Sequence, residues 1–263
     1  MKPNHIRDIW QRKGFVVNGW LSIPSSFSAE VMAHMGWDSL CVDLQHGVID
    51  YQVAVGMLQG ICTTDVTPIA RVPWNDPAII MKLLDAGAYG IICPMVNTRA
   101  EAERFVGACR YAPVGYRSSG PIRAALWAGD DYHAKANDTI LTFAMIETAE
   151  AVRNLDEILS TPGLDAVYIG PSDLSLTLGG KPGLDHTDGK VVDALDTILA
   201  GCKRHGVRAG LHTGSPAYAK QMIAKGFDFV TLLNDSRILT AAGRKIVEET
   251  KSIAAQAKAG GVY

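Results

Sequence analysis

The chain has 263 residues, 48% of them apolar and 20% charged, with a formal net charge of −2. That length and balance fit one large α/β domain, here residues 1–263, with a sizeable core. They offer no general attraction to nucleic acid or an anionic membrane, and no apolar run nears the roughly 18 residues of a membrane helix. The opening MKPNHIRDIWQRKG lacks the apolar centre of an export signal. Five scattered cysteines (Cys41, Cys62, Cys93, Cys109, Cys202) include no CxxC pair. They read as reduced, mostly buried thiols of a cytoplasmic protein and give a zinc cluster or a thiol nucleophile little support.

In chain order, the pattern predicts a short amphipathic helix over 5–13, suited to closing the bottom of a barrel. A strand over 16–21 leads to a helix from Ser28, its N-cap, to Met35. Next come a strand over 39–43, the polar turn Leu44-Gln45-His46-Gly47, and a helix over 50–62. A strand over 67–72 precedes a helix capped by Asp76 and ending near Ala86; a strand over 90–94 precedes a helix over 98–109. Segment 111–138, with Tyr116, Arg117 and Ser118, reads as a long irregular insertion, a feature that is usually functional. Then follow a strand over 141–146, a helix over 150–159, a strand over 166–169, a Gly- and Lys-rich loop over 178–190, and a helix over 191–205. A strand over 208–211, a helix over 216–225, a strand over 229–233 and a helix over 237–257 complete the chain. Strands alternating with helices at intervals of roughly 25 to 30 residues predict a (β/α)8 TIM barrel. A doubly wound sheet is the competitor, but no GxGxxG follows the first strand.

In a barrel, chemistry gathers where the strands end. Those ends carry Trp20, then Asp43 with Gln45 and His46, Arg71, Pro94, Glu147, Asp173, His212 and Asn234. The stretch 143–175 is central: two apolar strands joined by a helix place Glu147 and Asp173 side by side, two hard oxygen ligands for a divalent cation. Water and a chelating substrate would complete the shell, and a 2-oxo acid chelates through its carboxylate and keto oxygens. The turn Gly170-Pro171-Ser172-Asp173 would offer backbone N–H groups to that carboxylate. Arg71 would steady the enolate oxygen formed when a proton leaves C3, and His46 would serve as base. Asp43 or Asp85 could raise the basicity of His46. Each residue also has a bland structural role open to it: His46 as a satisfied strand-end group, Arg71 paired with Asp76 or Asp43, Asp85 as a helix C-terminal group. No lysine stands at a strand end, so a Schiff base lacks its nucleophile.

The segments VDLQHG (42–47), ARVPWND (70–76), LLDAGAYGIICPMVNT (83–98), RYAPVGYRSSG (110–120), MIETAEAVRNLDEIL (145–159) and GLDAVYIGPSDLSLTLG (163–179) resemble the metal-dependent class II pyruvate aldolases. The likeness is to the 2,4-dihydroxyhept-2-ene-1,7-dioate and 2-keto-3-deoxy sugar acid aldolases, which share the phosphoenolpyruvate/pyruvate-superfamily barrel. It implies reversible retro-aldol cleavage of a 4-hydroxy-2-oxo acid, through a metal-bound enolate, to an aldehyde and pyruvate or hydroxypyruvate. It implies His46 as base with Asp85 raising its basicity, and Arg71 stabilising the enolate. Glu147 and Asp173 would bind Mg²⁺, Mn²⁺ or Co²⁺, with Zn²⁺ also possible. The Ser172 and Asp173 amides, with Gly170 and Trp20, would contact substrate. It further implies a homo-hexamer, a trimer of dimers with exchanged C-terminal helices. Two positions depart from the family: Gln45 replaces a glutamate, and Met145 replaces a glutamine that contacts substrate. A malyl- or citramalyl-CoA lyase-like enzyme and a non-catalytic 2-oxo acid-binding barrel are the alternatives.

Overall fold

A computed structural model describes residues 1–187 and 189–259. Eight parallel strands close on themselves: β1 (Val16–Leu21), β2 (Ser39–Asp43), β3 (Thr67–Arg71), β4 (Gly90–Cys93), β5 (Leu141–Met145), β6 (Ala166–Ile169), β7 (Arg208–Thr213) and β8 (Phe229–Leu232). β8 pairs back onto β1, which excludes the open doubly wound sheet. The helices are α1 (His5–Gln11), α2 (Ser26–Ala33), α3 (Tyr51–Ile61), α4 (Pro77–Asp85), α5 (Arg99–Cys109), α6 (Ile122–Ala128) and α7 (Tyr132–Thr139). They continue with α8 (Ala149–Arg153), α9 (Leu155–Leu159), α10 (Pro171–Thr177), α11 (Gly189–His205), α12 (Pro216–Lys225) and α13 (Asp235–Ala259).

Period-2 alternation sorts each strand into an inner and an outer file. The outer file packs under the helices. The inner file, with Trp20, Cys41, Ile69, Ile92, Phe143, Met145, Tyr168 and Phe229, fills the barrel with its own buried cluster. Ile6 and Trp10 of α1 join that cluster from below, so the first helix closes the barrel as its amphipathic pattern predicts. Asn4 fastens it by donating to the carbonyls of Tyr89 (3.1 Å) and Thr139 (2.9 Å).

Two local expectations change. The cap of α2 is Ser25, whose Oγ accepts from Ser28 N at 3.1 Å. Ser25 has the extended backbone a cap requires, while Ser28 lies inside the first turn. Segment 111–138 is not the irregular insertion its composition suggests. It contains α6 and most of α7 and joins α5 to β5, so it lies at the end where strands begin.

That bottom end is tied together by Asp165, which precedes β6. Its carboxylate accepts from Arg7 (2.8 Å), Arg110 (2.9 Å) and the Thr142 amide (2.9 Å). Helix α13 is fastened at its first turn, where Asp235 accepts from the amides of Ser22 (2.9 Å) and Ile23 (3.1 Å). Farther along, Leu239, Ile246 and Val247 are exposed. Among the described residues no helix is long and apolar enough to cross a membrane, and all five cysteines are free.

Removing one member of a buried charge cluster leaves the others uncompensated, at a cost of roughly 3 kcal/mol. Asp165→Ala strands the buried Arg110 side chain, so urea unfolding should show a loss of about that size. A loss under about 1 kcal/mol would show that Asp165 does not hold the bottom closed.

Candidate active site

The inner files continue past the ends of the strands, and this builds the site. Cys41 leads to Asp43 and Ile69 to Arg71; Phe143 and Met145 lead to Glu147, Tyr168 to Gly170, and Gly210 to His212. Every second residue faces inward, so each strand presents its next inward residue at the upper rim. The residues meet in a cavity of about 180 Å³ lined by His46, Arg71, Met145, Glu147, Tyr168, Gly170, Pro171, Ser172, Asp173, Leu184 and His212.

Asp43 and Arg71 are register partners on β2 and β3. Their side chains form a two-pronged ion pair, Arg71 Nε donating to Asp43 Oδ1 at 2.8 Å and Nη2 to Oδ2 at 2.7 Å. Trp20 Nε1 donates to Asp43 Oδ2 at 3.0 Å, and the amides of Gln45 (3.0 Å) and His46 (3.2 Å) donate to Oδ1. Burial alone would push the Asp43 carboxyl up. The hydrogen bond and charge of Arg71, helped by Trp20 and the His46 amide, outweigh burial and hold it below the usual carboxylate range. The guanidinium also lies 4.8 Å from the Trp20 ring centre. Arg71 is therefore fixed from two sides, and its Nη1 has no hydrogen bond among the described residues.

Glu147 is 2% exposed. Oε1 accepts from the Met95 amide at 2.8 Å. Met95 reaches that position with a left-handed backbone, φ 54°. Such strain in a residue with a side chain persists where the surroundings enforce it, often at functional sites. A Cβ at position 170 would collide with Glu147 Oε2, so glycine there lets the backbone approach the carboxylate. Burial pushes the Glu147 carboxyl up to about 7; the Met95 amide opposes this, the negative charge of Asp173 adds to it, and Arg71 opposes it. Asp173 is exposed, in the first turn of α10, and no protein group donates to its carboxylate among the described residues.

These two carboxylates fit a hard divalent cation. Both are oxygen donors, Oε2 of Glu147 has no protein partner among the described residues, and their mutual repulsion asks for a positive charge. No third His, Cys, Asp or Glu joins them among the described residues, which leaves further coordination to water and substrate.

The other expected residues divide. His46 is exposed and lines the cavity. The Ser172 hydroxyl donates to Gly183 O at 3.0 Å, tying the 178–187 loop to the rim and bringing Leu184 to the cavity. Trp20, expected to touch substrate, is instead buried beneath the rim, where it supports Asp43 and stacks on Tyr168 with ring centres 5.6 Å apart. Asp85, expected beside His46, is not brought to it within this chain. It is the last residue of α4, at the bottom end, and accepts from Arg117 at 2.7 Å. Asn234 caps α13, accepting from Arg237 N at 2.9 Å. Met145 lines the wall with no hydrogen-bonding group, and Gln45 Oε1 is buried without a partner among the described residues.

Sequence reasoning missed the Tyr168–His212 pair, with Tyr168 Oη 2.9 Å from His212 Nδ1. Burial, then the charge of Arg71, pulls His212 down to about 4. Tyr168 is hidden in the apolar run Ala166–Ile169, and the signal that reveals it is its place two residues before Gly170 in the inward file.

A family model described as HpcH/HpaI aldolase/citrate lyase matches residues 19–242. The chain is similar to the hydroxypyruvate/pyruvate aldolase of Rhizorhabdus wittichii, 43% identical over 250 residues, 95% of this chain and 100% of the relative. It is similar to the 4-hydroxy-2-oxo-heptane-1,7-dioate aldolase of Escherichia coli, 35% identical over 244 residues and 92% of each chain. Among solved structures, an HpcH/HpaI aldolase/citrate lyase family protein of Burkholderia cenocepacia superposes with a TM-score of 0.87 at 31% identity, covering 94% of this chain and 99% of that one.

A buried acid whose pKa is raised by folding loses stability as pH climbs from its unfolded value through its folded one. For Glu147 that window runs from 4.5 to about 7. In metal-free protein, Glu147→Gln should therefore raise the unfolding free energy at pH 8 by about 2–3 kcal/mol and change it little at pH 5. Equal effects at the two pH values in urea titrations would contradict the burial argument.

Proposed function

The chain belongs to the HpcH/HpaI aldolase/citrate lyase family, and from that premise we propose that it cleaves a 4-hydroxy-2-oxo acid reversibly to an aldehyde and pyruvate or hydroxypyruvate. It is an aldolase, and relatives 35–43% identical over most of the chain bear aldolase names, which disfavours the acyl-CoA lyase alternative. The observation that carries the residue roles is the Arg71 guanidinium, held by Asp43, with a free edge in the same cavity as Glu147 and Asp173.

In this reading Glu147 and Asp173 would hold a divalent ion, Mg²⁺, Mn²⁺ or Co²⁺, which would supply Lewis-acid polarisation of the donor's keto group. The backbone N–H groups of Ser172 and Asp173, at the start of α10, receive the donor carboxylate. Arg71 Nη1 donates to the keto oxygen. In cleavage, His46 takes the proton of the C4 hydroxyl, the C3–C4 bond breaks, and its electron pair moves into the C2–C3 enolate as the aldehyde departs. Negative charge then rests on the C2 oxygen, where Arg71 stabilises it more strongly than it did the neutral ketone. Protonation of C3 by His46 releases pyruvate. Asp43 acts through Arg71 by fixing its plane. Asp85 has no part in this scheme within one chain.

The donor is pyruvate or hydroxypyruvate, with the apolar Met145 wall beside it. The assembly is a homo-hexamer with exchanged C-terminal helices, a reading supported by the apolar residues α13 leaves uncovered, Leu239, Ile246 and Val247.

With Mn²⁺ present, the protein should exchange the C3 protons of pyruvate with D₂O, and chelator should abolish the exchange; exchange that persists in excess chelator would rule out the metal-assisted route. Arg71→Ala and His46→Ala should each slow it by at least about 100-fold while the far-ultraviolet circular dichroism stays unchanged. Retained exchange in either variant removes that residue's role.

A further inference from the structure

Beside the cavity for the donor lies a larger groove of about 520 Å³, and the two share Ser172 and Leu184 as walls. The groove's remaining walls include Asp185, Gly214, Leu233 and Arg237. A three-carbon donor belongs in the inner cavity, so whatever extends from the aldehyde carbon must leave it, and this groove adjoins it across Ser172 and Leu184.

We infer that Arg237 is a specificity-determining residue, and that the groove takes aldehydes ending in an anionic group, carboxylate or phosphate, which the guanidinium binds while the carbonyl carbon lies over the inner cavity. The inference rests on the aldolase reading.

The backbone beneath Arg237 is tightly held. Leu233 leaves β8 with a left-handed backbone, φ 51°, an uncommon state for a residue with a branched side chain. Its amide donates to Thr213 O at 3.1 Å. Asn234 Oδ1 accepts the amide of Arg237 at 2.9 Å, and Asp235 is anchored to Ser22 and Ile23. This turn aims the first turn of α13 at the groove. The side chain, by contrast, is uncommitted: it is exposed and forms no ion pair among the described residues. A fixed base under an unpaired guanidinium suits a residue whose partner arrives with the substrate. The groove also holds Asp185, whose Oδ1 accepts from the Gly214 amide at 2.6 Å and which forms no ion pair with Arg237. The charge of Arg237 also helps keep His212, a wall of the inner cavity, neutral. Arg71 is committed to the keto oxygen of the donor, which leaves Arg237 as the cation on the groove side for the far end of the aldehyde.

The test compares aldehydes of matched length with pyruvate as donor and Mn²⁺ present: succinic semialdehyde against butanal, and glyceraldehyde 3-phosphate against glyceraldehyde. The unsubstituted protein should favour the anionic member of at least one pair in kcat/KM, and the favoured pair tells carboxylate from phosphate. Arg237→Gln should lower that preference roughly tenfold, through the KM for the aldehyde, and Arg237→Lys should restore most of it. No preference in the unsubstituted protein overturns the inference, and so does an equal loss on both members of a pair in Arg237→Gln. Pyruvate proton exchange, run alongside, separates the two readings. Its absence from the unsubstituted protein overturns the aldolase reading, whereas exchange with an unaltered aldehyde ratio overturns only the role of Arg237.

Discussion

Arg71 and Asp43 end neighbouring strands in register, and two hydrogen bonds join them beneath the cavity. An arginine side chain has four rotatable bonds and, left free, would spread its charge over many directions. Here Asp43 binds one edge of the planar guanidinium, Trp20 lies against it, and Nη1 is left without a protein partner among the described residues while the side chain lines the cavity. A donor fixed before the substrate arrives needs no reorganisation as charge develops on the keto oxygen, and this is the condition under which one hydrogen bond gives a large rate effect. The backbone amides of Gln45 and His46 also bond to Asp43, so the same carboxylate positions the turn that carries the proposed base.

The ion pair has a second consequence. Asp43 neutralises Arg71 at close range, so Arg71 can compensate Glu147 only weakly. Glu147 remains a buried carboxyl next to Asp173, raised to about 7, with one amide donor. A site with a satisfied cation on one wall and two unsatisfied oxygen donors on the other favours a positively charged occupant over a neutral one. Gly170 belongs to the same arrangement, since any side chain there would occupy the place of Glu147 Oε2.

The barrel and most of its rim were legible because both follow from short-range rules. Alternating apolar strands and capped helices mark the eightfold repeat, and strand ends mark where Asp43, Arg71, Glu147 and Asp173 fall. Choosing between Asp43 and Asp76 as the partner of Arg71 was not legible, because it depends on register. Asp76 sits only five residues on but spends its carboxylate on capping α4, with Oδ1 accepting from Ala78 N at 2.9 Å. The support that Trp20 gives Asp43 was not legible, because a strand boundary good to a residue or two does not separate the rim from the layer below. Asp85 does end the helix after the third strand, as its pattern indicates, and that helix runs back down, so within this chain its last residue lies at the far end from His46. Leu184 enters through a loop turn that no periodicity marks, and Arg237 through the direction in which the chain leaves β8, which a helix pattern starting at 237 does not give.

The most direct test of this account is crystallographic. Crystals soaked with Mn²⁺ and pyruvate should show one anomalous peak bonded to Glu147 and Asp173, with pyruvate chelating it and Arg71 Nη1 within hydrogen-bond distance of the keto oxygen. The Asp43–Arg71 pair should remain unchanged. No peak at that place, or pyruvate bound with its keto oxygen turned away from Arg71, would contradict it.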